Sequence, residues 1–270
     1  MTFFDDLGNE ITFEKTPRKI ISLVPEMTET LYDLNLEDNI IGITSLCTNP
    51  IHFKHTKPIL GDAKELNIDK IKELKPDLVF CYKDQNSREN IKKLQEFTQV
   101  YTIVITSIED TIRLIEKIGL MLNRRVDAQL INHKIKLKLN EFKLYIKEFE
   151  VKKAACMVWY NPWMAVGNDP LINSLMDLNK YENIYQNKPE SHPIIQAKKI
   201  RLEGDPDVVF FVSKPFMFKD KHIFEMGRYT HHASAVYIDA GMFNSFGSKL
   251  LKTFDAFRSL RERITISTFK

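Results

Sequence analysis

A phrase that occurs twice constrains this chain more than any other feature. Residues 68–80 read IDKIKELKPDLVF, and residues 198–210 read KKIRLEGDPDVVF. Their Pro-Asp pairs, Pro76-Asp77 and Pro206-Asp207, stand 130 residues apart. In the first copy Ile68, Ile71 and Leu74 recur at helical spacing, Pro76 stops the helix, and Leu78-Val79-Phe80-Cys81 is an apolar strand. A helix delivered into a strand by a proline, repeated at this distance, predicts two similar α/β lobes. The 270 residues then divide into an N-terminal lobe at 1–122, a connecting helix at 123–150 and a C-terminal lobe at 151–270.

The remaining pattern agrees with that division. Phe3 to Phe13 reads as a hairpin around Gly8-Asn9, Ile20 to Val24 as a strand ended by Pro25, Thr28 to Leu34 as a helix, and Ile40 to Thr44 as a strand. Tyr101 to Ile105 is a further strand, and Ile108 to Leu122 a helix. Ile131, Ile135, Leu139, Phe142, Ile146 and Phe149 then recur in steps of three or four, the mark of one long helix over 125–150. Afterwards the alternation restarts, with a strand from Ala154 to Tyr160 and a helix from Leu171 to Leu178. Strands alternating with helices predict an α/β class with mainly parallel sheets. The expected architecture is two lobes joined by one long helix, with a ligand cleft between them. A single crossing helix implies limited hinge motion and a cleft that is largely pre-formed.

Charge narrows the partners. The net charge is +3, from 39 basic and 36 acidic side chains. Residues 133–153 hold seven lysines and three glutamates, so the whole basic excess sits on the connecting helix and the strand start that follows. A solvated helix face accounts for it, and no nucleic-acid partner is expected. No stretch approaches the ~20 apolar residues of a membrane span. Cys47, Cys81 and Cys156 are an odd count without CxxC spacing, so neither a disulfide framework nor a zinc knuckle is indicated. Cys156 lies in an apolar run and reads as a core residue. The N-terminus, Met1 to Gly8, lacks the basic and apolar regions of a secretory signal. The expected location is cytoplasmic as written, or periplasmic if the native start lies further upstream.

With these elements placed, the sequence resembles the helical-backbone (class III) substrate-binding proteins of ABC importers. The resemblance is carried by Arg18 to Pro25 followed by Thr28-Glu29, by the Asn67-to-Phe80 phrase, by the Asp6-Leu7-Gly8 hairpin and by the long central helix. Gly42 to Pro50, Pro215 to His222, Gly241-Met242-Phe243 and Phe246 to Lys249 are similar to a subgroup that often lacks a signal peptide and looks like the cobalamin-binding members. The resemblance implies cobalamin, haem or a ferric siderophore as ligand, no obligatory cofactor, a monomer, and an ABC permease as a possible partner. It also implies one permease-docking acid on each lobe. The matching positions are Asp69 and Lys199, one acid shortened and the other reversed in sign. Glu26 replaces the usual serine after Pro25, and Leu46 and Ala63 fall where cobalamin receptors have cleft aromatics.

Ligands of parallel α/β sheets bind beyond the carboxyl ends of the strands. That rule selects the loops at 25–28, 45–50, 82–86, 160–168, 213–218 and 241–248. The candidate ligand-binding residues are therefore Pro25, Glu26, Cys47, Tyr82, Trp159, Trp163, Phe216, Phe218, Phe246 and Lys249. The aromatics form either a wall for a flat macrocycle or ordinary packing. Among them Trp163, between Pro162 and Gly167, is the strongest candidate. Glu26 and Cys47 offer either a carboxylate and thiolate for a metal centre or a helix N-terminal acid and a buried thiol. Lys249 and Arg228 could pair with anionic ligand groups. His52, His55, His192, His231 and His232 read as surface or capping residues, and His222 is the imidazole to watch. There is no GxSxG, Walker or GxGxxG motif, and nine glycines leave little material for a phosphate loop. The leading expectation is non-enzymatic binding of a metal-containing or macrocyclic small molecule. The alternatives are an importer receptor whose signal peptide is missing, and a cytoplasmic corrinoid- or tetrapyrrole-handling enzyme or chaperone.

Overall fold

The structure, a computed structural model, describes residues 1–62, 65–230 and 232–268. Ala63 and His231 lie outside these. The chain forms two compact units, Met1–Lys136 with Phe246–Leu250, and Leu137–Ser245 with Leu251–Lys270.

In the first unit the strands β1 (Thr2–Phe4) and β2 (Glu10–Thr12) form an antiparallel hairpin. Then follow β3 (Ile20–Ser22), α1 (Pro25–Asp33), β4 (Ile40–Ile43), α2 (Phe53–Thr56), α3 (Ile68–Leu74), β5 (Leu78–Tyr82), α4 (Arg88–Gln95), β6 (Gln99–Ile103) and α5 (Ile108–Met121). The sheet order is β4-β3-β5-β6, and every pairing is parallel. β3 and β5 are buried along their whole length, which explains why both read as unbroken apolar runs instead of alternating ones. α1 begins at Pro25, three residues ahead of the expected Thr28. Proline stops a strand, but its fixed φ and missing N–H also suit the first helical position.

α6 (Arg125–Ile146) is the long helix, and it ends at Ile146 rather than at residue 150. Ile131, Ile135, Leu139, Phe142 and Ile146 are buried. Phe149, counted with that stripe in the sequence, lies past the helix end with its ring 5.1 Å from Tyr145. Lys134, Lys136, Lys143 and Lys147 face solvent, and Lys138 pairs with Asp255 at 2.6 Å.

The second unit continues with β7 (Lys152–Trp159), β8 (Met164–Ala165), α7 (Pro170–Leu178), β9 (Tyr181–Asn183), α8 (Ile200–Glu203), β10 (Val208–Val212), α9 (Asp220–Thr230), β11 (Ser234–Ile238) and α10 (Leu250–Thr268). Its sheet runs β11-β10-β7-β8, with β9 also on β7, and only the β7–β8 pairing is antiparallel. Among the described residues no helix is long and apolar enough to cross a membrane.

The repeated Pro-Asp pair has the same role in both units. Asp77 Oδ2 accepts from the backbone N–H groups of Arg18 and Lys19 at 2.8 and 2.9 Å, and Asp77 N–H donates to the Lys19 carbonyl at 2.8 Å. Asp207 Oδ2 accepts from Lys153 N–H at 2.8 Å, and Asp207 N–H donates to the Lys153 carbonyl at 2.8 Å. The residues just before each proline, Lys75 and Asp205, both take the left-handed conformation, with φ of 49° and 50°. The phrase is thus a turn plus a carboxylate that pins one strand start against its neighbour. Asp77→Ala and Asp207→Ala should each lower the unfolding free energy by about 1.5–3 kcal/mol, the worth of hydrogen bonds to a charged acceptor. Urea midpoints read this directly, and Asp→Asn at either position should recover part of the loss. A loss under about 0.5 kcal/mol at both sites, the range of a neutral surface change, would remove the clamp from the account.

Candidate functional site

β7, β10 and β11 are parallel, so their carboxyl ends share one edge of the second sheet. A cavity of about 460 Å³ opens there, within the size range of small-molecule sites. Its buried members are Cys156, Val166, Ile172, Val212, Ile238 and Phe243. Trp159 and Pro215 line its more exposed part, together with Val158 and Met164. The polar lining consists of His192, Lys214, Asp239 and Asn244, so one ammonium and one carboxylate balance each other in a mainly apolar site. Asp239 also ends a turn, its Oδ1 accepting from Gly241 N–H at 2.8 Å.

Of the expected ligand-binding residues, Trp159 lines this cavity, 39% exposed. Trp163 is 8% exposed and belongs to the core behind it. Its ring stacks on Phe218 at 6.0 Å, and its Nε1–H donates to Glu225 Oε1 at 3.2 Å. The other Glu225 oxygen accepts from the Tyr160 hydroxyl at 3.0 Å. Phe216 bridges the two groups, 5.4 Å from Trp159 and 4.9 Å from Phe218. Phe216 and Phe218 are therefore backing for the wall rather than its surface.

His222 is buried in this aromatic cluster, its ring 4.5 Å from Tyr160 and 5.2 Å from Phe216. Its Nδ1 accepts from Lys219 N–H at 2.8 Å, an arrangement open only to the neutral ring. Burial holds its pKa below the ordinary 6.5, the nearby Lys221 charge adds to that, and Glu225 opposes it.

The remaining candidates are in the first unit. Pro25 and Glu26 open α1. Lys249 Nζ donates to Glu26 Oε1 at 3.0 Å, and Ser248 N–H donates to Thr30 Oγ1 at 3.1 Å. Gly247 has φ of 65°, and a Cβ there would collide with Thr30 Oγ1, so this tight approach to α1 requires glycine. Phe246 packs on Tyr82 at 5.3 Å. Thus Glu26, Lys249, Phe246 and Tyr82 hold residues 246–250 onto the first unit. Cys47 is fully buried, with its Sγ 3.1 Å from Thr28 Oγ1 and 3.3 Å from Thr44 Oγ1, and burial raises its pKa. Burial also raises Cys81, and pushes Cys156 up to about 12. For Cys47 the burial and the two threonine contacts match the buried-thiol reading. Asp69 and Lys199 are exposed, on α3 and just before α8, and Arg228 lies on α9 by a groove with Phe224.

Sequence reasoning read His192 as a surface or capping residue, and it is exposed, but its place on the cavity was not foreseen, and Asp239 and Glu225 were missed. Lys214 and Asn244 fall inside loops chosen by the strand-end rule, but nothing in their type singled them out. Glu225 carries a helical signal only.

An apolar cavity opens at the carboxyl edge of a parallel sheet, the place where α/β folds hold small-molecule sites. The profile of the periplasmic binding protein family matches residues 20–236, and the chain belongs to that family. An uncharacterized ABC transporter substrate-binding lipoprotein of Bacillus subtilis is 35% identical over 120 residues, covering 43% of this chain and 38% of its own length. The chain thus spans under half the length of that relative. The vitamin B12 binding protein of Vibrio cholerae has the same fold, with a TM-score of 0.77, 16% identity, and coverage of 94% of this chain and 99% of that one. The petrobactin-binding protein of Bacillus subtilis superposes with a TM-score of 0.78 at 18% identity, covering 97% of each chain. The two solved neighbours are named for binding, one for vitamin B12 and one for petrobactin.

Two outcomes follow from the buried groups. A histidine held below its unfolded pKa binds fewer protons in the native state, so its share of stability is complete above about pH 6.5 and is lost as the pH falls below it. The wild type should therefore lose more stability between about pH 7.5 and about pH 5.5 than His222→Gln does. Parallel curves for the two proteins would contradict the neutral-ring assignment. Second, none of the three cysteines should react with Ellman's reagent in the native protein, and all three should react on unfolding.

Proposed function

We propose that the chain is a non-enzymatic binding protein for a metal-bearing macrocycle, and that the ligand seats an apolar ring face against Trp159 in the cavity at the ends of β7, β10 and β11. The observation that carries this reading is the cavity's composition, an apolar lining with one cation and one carboxylate. Haem presents two propionates and catecholate siderophores present several anionic oxygens. Both call for a surplus of cations. A corrinoid is edged by uncharged amides, which need donors and acceptors together, and Lys214, Asp239 and Asn244 offer both kinds. The vitamin B12 binding neighbour supports the corrinoid assignment. The petrobactin-binding neighbour keeps siderophores as the competing class.

The same reading includes an ABC permease as partner and a site of action outside the cytoplasmic membrane, supported by the family and by the substrate-binding lipoprotein among its relatives. Asp69 and Lys199 would then face a permease surface of opposite sign at each point, a cation for Asp69 and an acid for Lys199.

Titration calorimetry with cyanocobalamin, dicyanocobinamide, hemin and a ferric catecholate siderophore tests the ligand class. A corrinoid should bind most tightly, and Trp159→Ala should weaken it about tenfold, the value of one aromatic contact of ~1.4 kcal/mol. Failure of every compound, or preference for the siderophore, would overturn the assignment.

A further inference from the structure

The helix α6 is one continuous element, and it carries a second apolar line besides the one that packs inward. Ile131, Ile135, Leu139, Phe142 and Ile146 are buried. Val126, Leu130, Leu137 and Leu144 are each between 49% and 77% exposed. At about 3.6 residues per turn the two sets fall on opposite faces of the helix. The exposed set is spaced by four, then seven, then seven residues, which is the heptad rhythm of a helix seam. Single exposed apolar side chains are ordinary. Four in one line along a solvated, lysine-rich helix are a patch of the kind a second helix covers.

The flanks of this line decide what covers it. With Leu130, Leu137 and Leu144 at the a positions of the heptad, Val126, His133 and Asn140 take the d positions, and all six are exposed. One flank, the g positions, holds Gln129, Lys136 and Lys143. The other flank, the e positions, holds Asp127, Lys134, Glu141 and, in the turn past the helix end, Glu148. Among the described residues Lys136, Lys143, Glu141 and Glu148 form no ion pair within the chain. In a parallel pair of helices each g residue faces the e residue of the next heptad on the other helix. Lys136 then meets Glu141 of the second copy, Lys143 meets its Glu148, and two-fold symmetry doubles both pairs. In an antiparallel pair like flanks meet, and the two lysines would face lysines. An anionic bilayer calls for cations on both flanks, and Glu141 and Glu148 spoil one of them. We propose that this face of α6 is the interface of a parallel homodimer, covered by a second copy of the chain. His133 and Asn140 supply polar layers that fix its register at some cost in stability. The helix is already held by its buried face, so pairing has no helix to form. The inference is independent of the ligand, and it departs from the monomer that the family resemblance implies.

Sedimentation equilibrium from about 1 to about 100 μM tests the interface. The wild type should pass from the mass of one chain to that of two. Leu137→Glu is a surface change that should leave the urea midpoint in place. It should raise the dimer dissociation constant about a hundredfold, because symmetry removes the leucine from both sides of the seam. Lys136→Glu alone should weaken the dimer about fivefold by setting like charges at Glu141, and Lys136→Glu combined with Glu141→Lys should return it to within about twofold of wild type. Leu144→Cys should cross-link two copies under mild oxidation, since a parallel seam brings the same position of both helices together. A wild type that stays monomeric throughout would overturn the interface, and Leu137-dependent sedimentation of that monomer with phosphatidylglycerol vesicles would give the face to a membrane instead. A dimer that Leu137→Glu leaves intact would place the contact elsewhere and overturn it equally. A dimer that Leu137→Glu dissociates, but that lacks either the charge-swap rescue or the cross-link, would overturn the parallel arrangement.

Discussion

The site depends on one carboxyl-bearing residue at the far end of the sheet from it. Asp207 ties three strand starts together. Its side chain and N–H hold Lys153, and its carbonyl accepts from Ser234 N–H at 2.9 Å. From that knot β7, β10 and β11 run in matched register, Val208 beside Ala154 and Ser234, and Phe211 beside Met157 and Tyr237. Strands that start level and run parallel end level. Trp159, Val212 and Ile238 are therefore delivered to one edge, and the loops after them enclose the cavity. A one-residue slip would turn Cys156 and Val158 to the other face of the sheet and dismantle the lining.

Behind the cavity the aromatic side chains carry the load of shape. Trp163, Phe211, Phe218 and Tyr160 interlock, and Glu225 satisfies the two polar atoms that such rings bring into a core. His222 completes the cluster as a neutral ring that fixes the start of α9. The result is a packed wall with Trp159 exposed at the cavity. The first unit uses its own polar residues differently. Glu26 and Lys249 fasten a short returning segment, with Gly247 allowing the close approach to α1.

Much of this was legible in the sequence because it rests on local signals. The Pro-Asp phrases, the apolar runs of β3, β5, β7 and β10 and the buried stripe of α6 are written in consecutive residues. The strand-end rule selected the loops of Lys214 and Asn244, which line the cavity, and Trp159 adjoins a third selected loop. What remained hidden depends on distant partners. Trp159 ends β7 and Trp163 lies in the loop after it, and the one taken into the core bonds to Glu225, 62 residues away. His192 reaches the cavity only because residues 190–195 pair with 163–168, and that pairing leaves no periodic trace. β11 alternates between exposed and half-buried positions at the sheet edge, so its apolar signal was weak. Pro25 was read as a strand end, whereas it also starts α1.

The central claim is that the ligand sits at the carboxyl edge of the second sheet. Hydrogen exchange with and without saturating cobinamide tests it most directly. Protection should rise in the loops that carry Trp159, His192, Lys214 and Asn244, while the groove beside α9 at Val209, Phe224 and Ala235 stays unchanged. Protection centred on that groove, with the strand-end loops unaffected, would contradict the account.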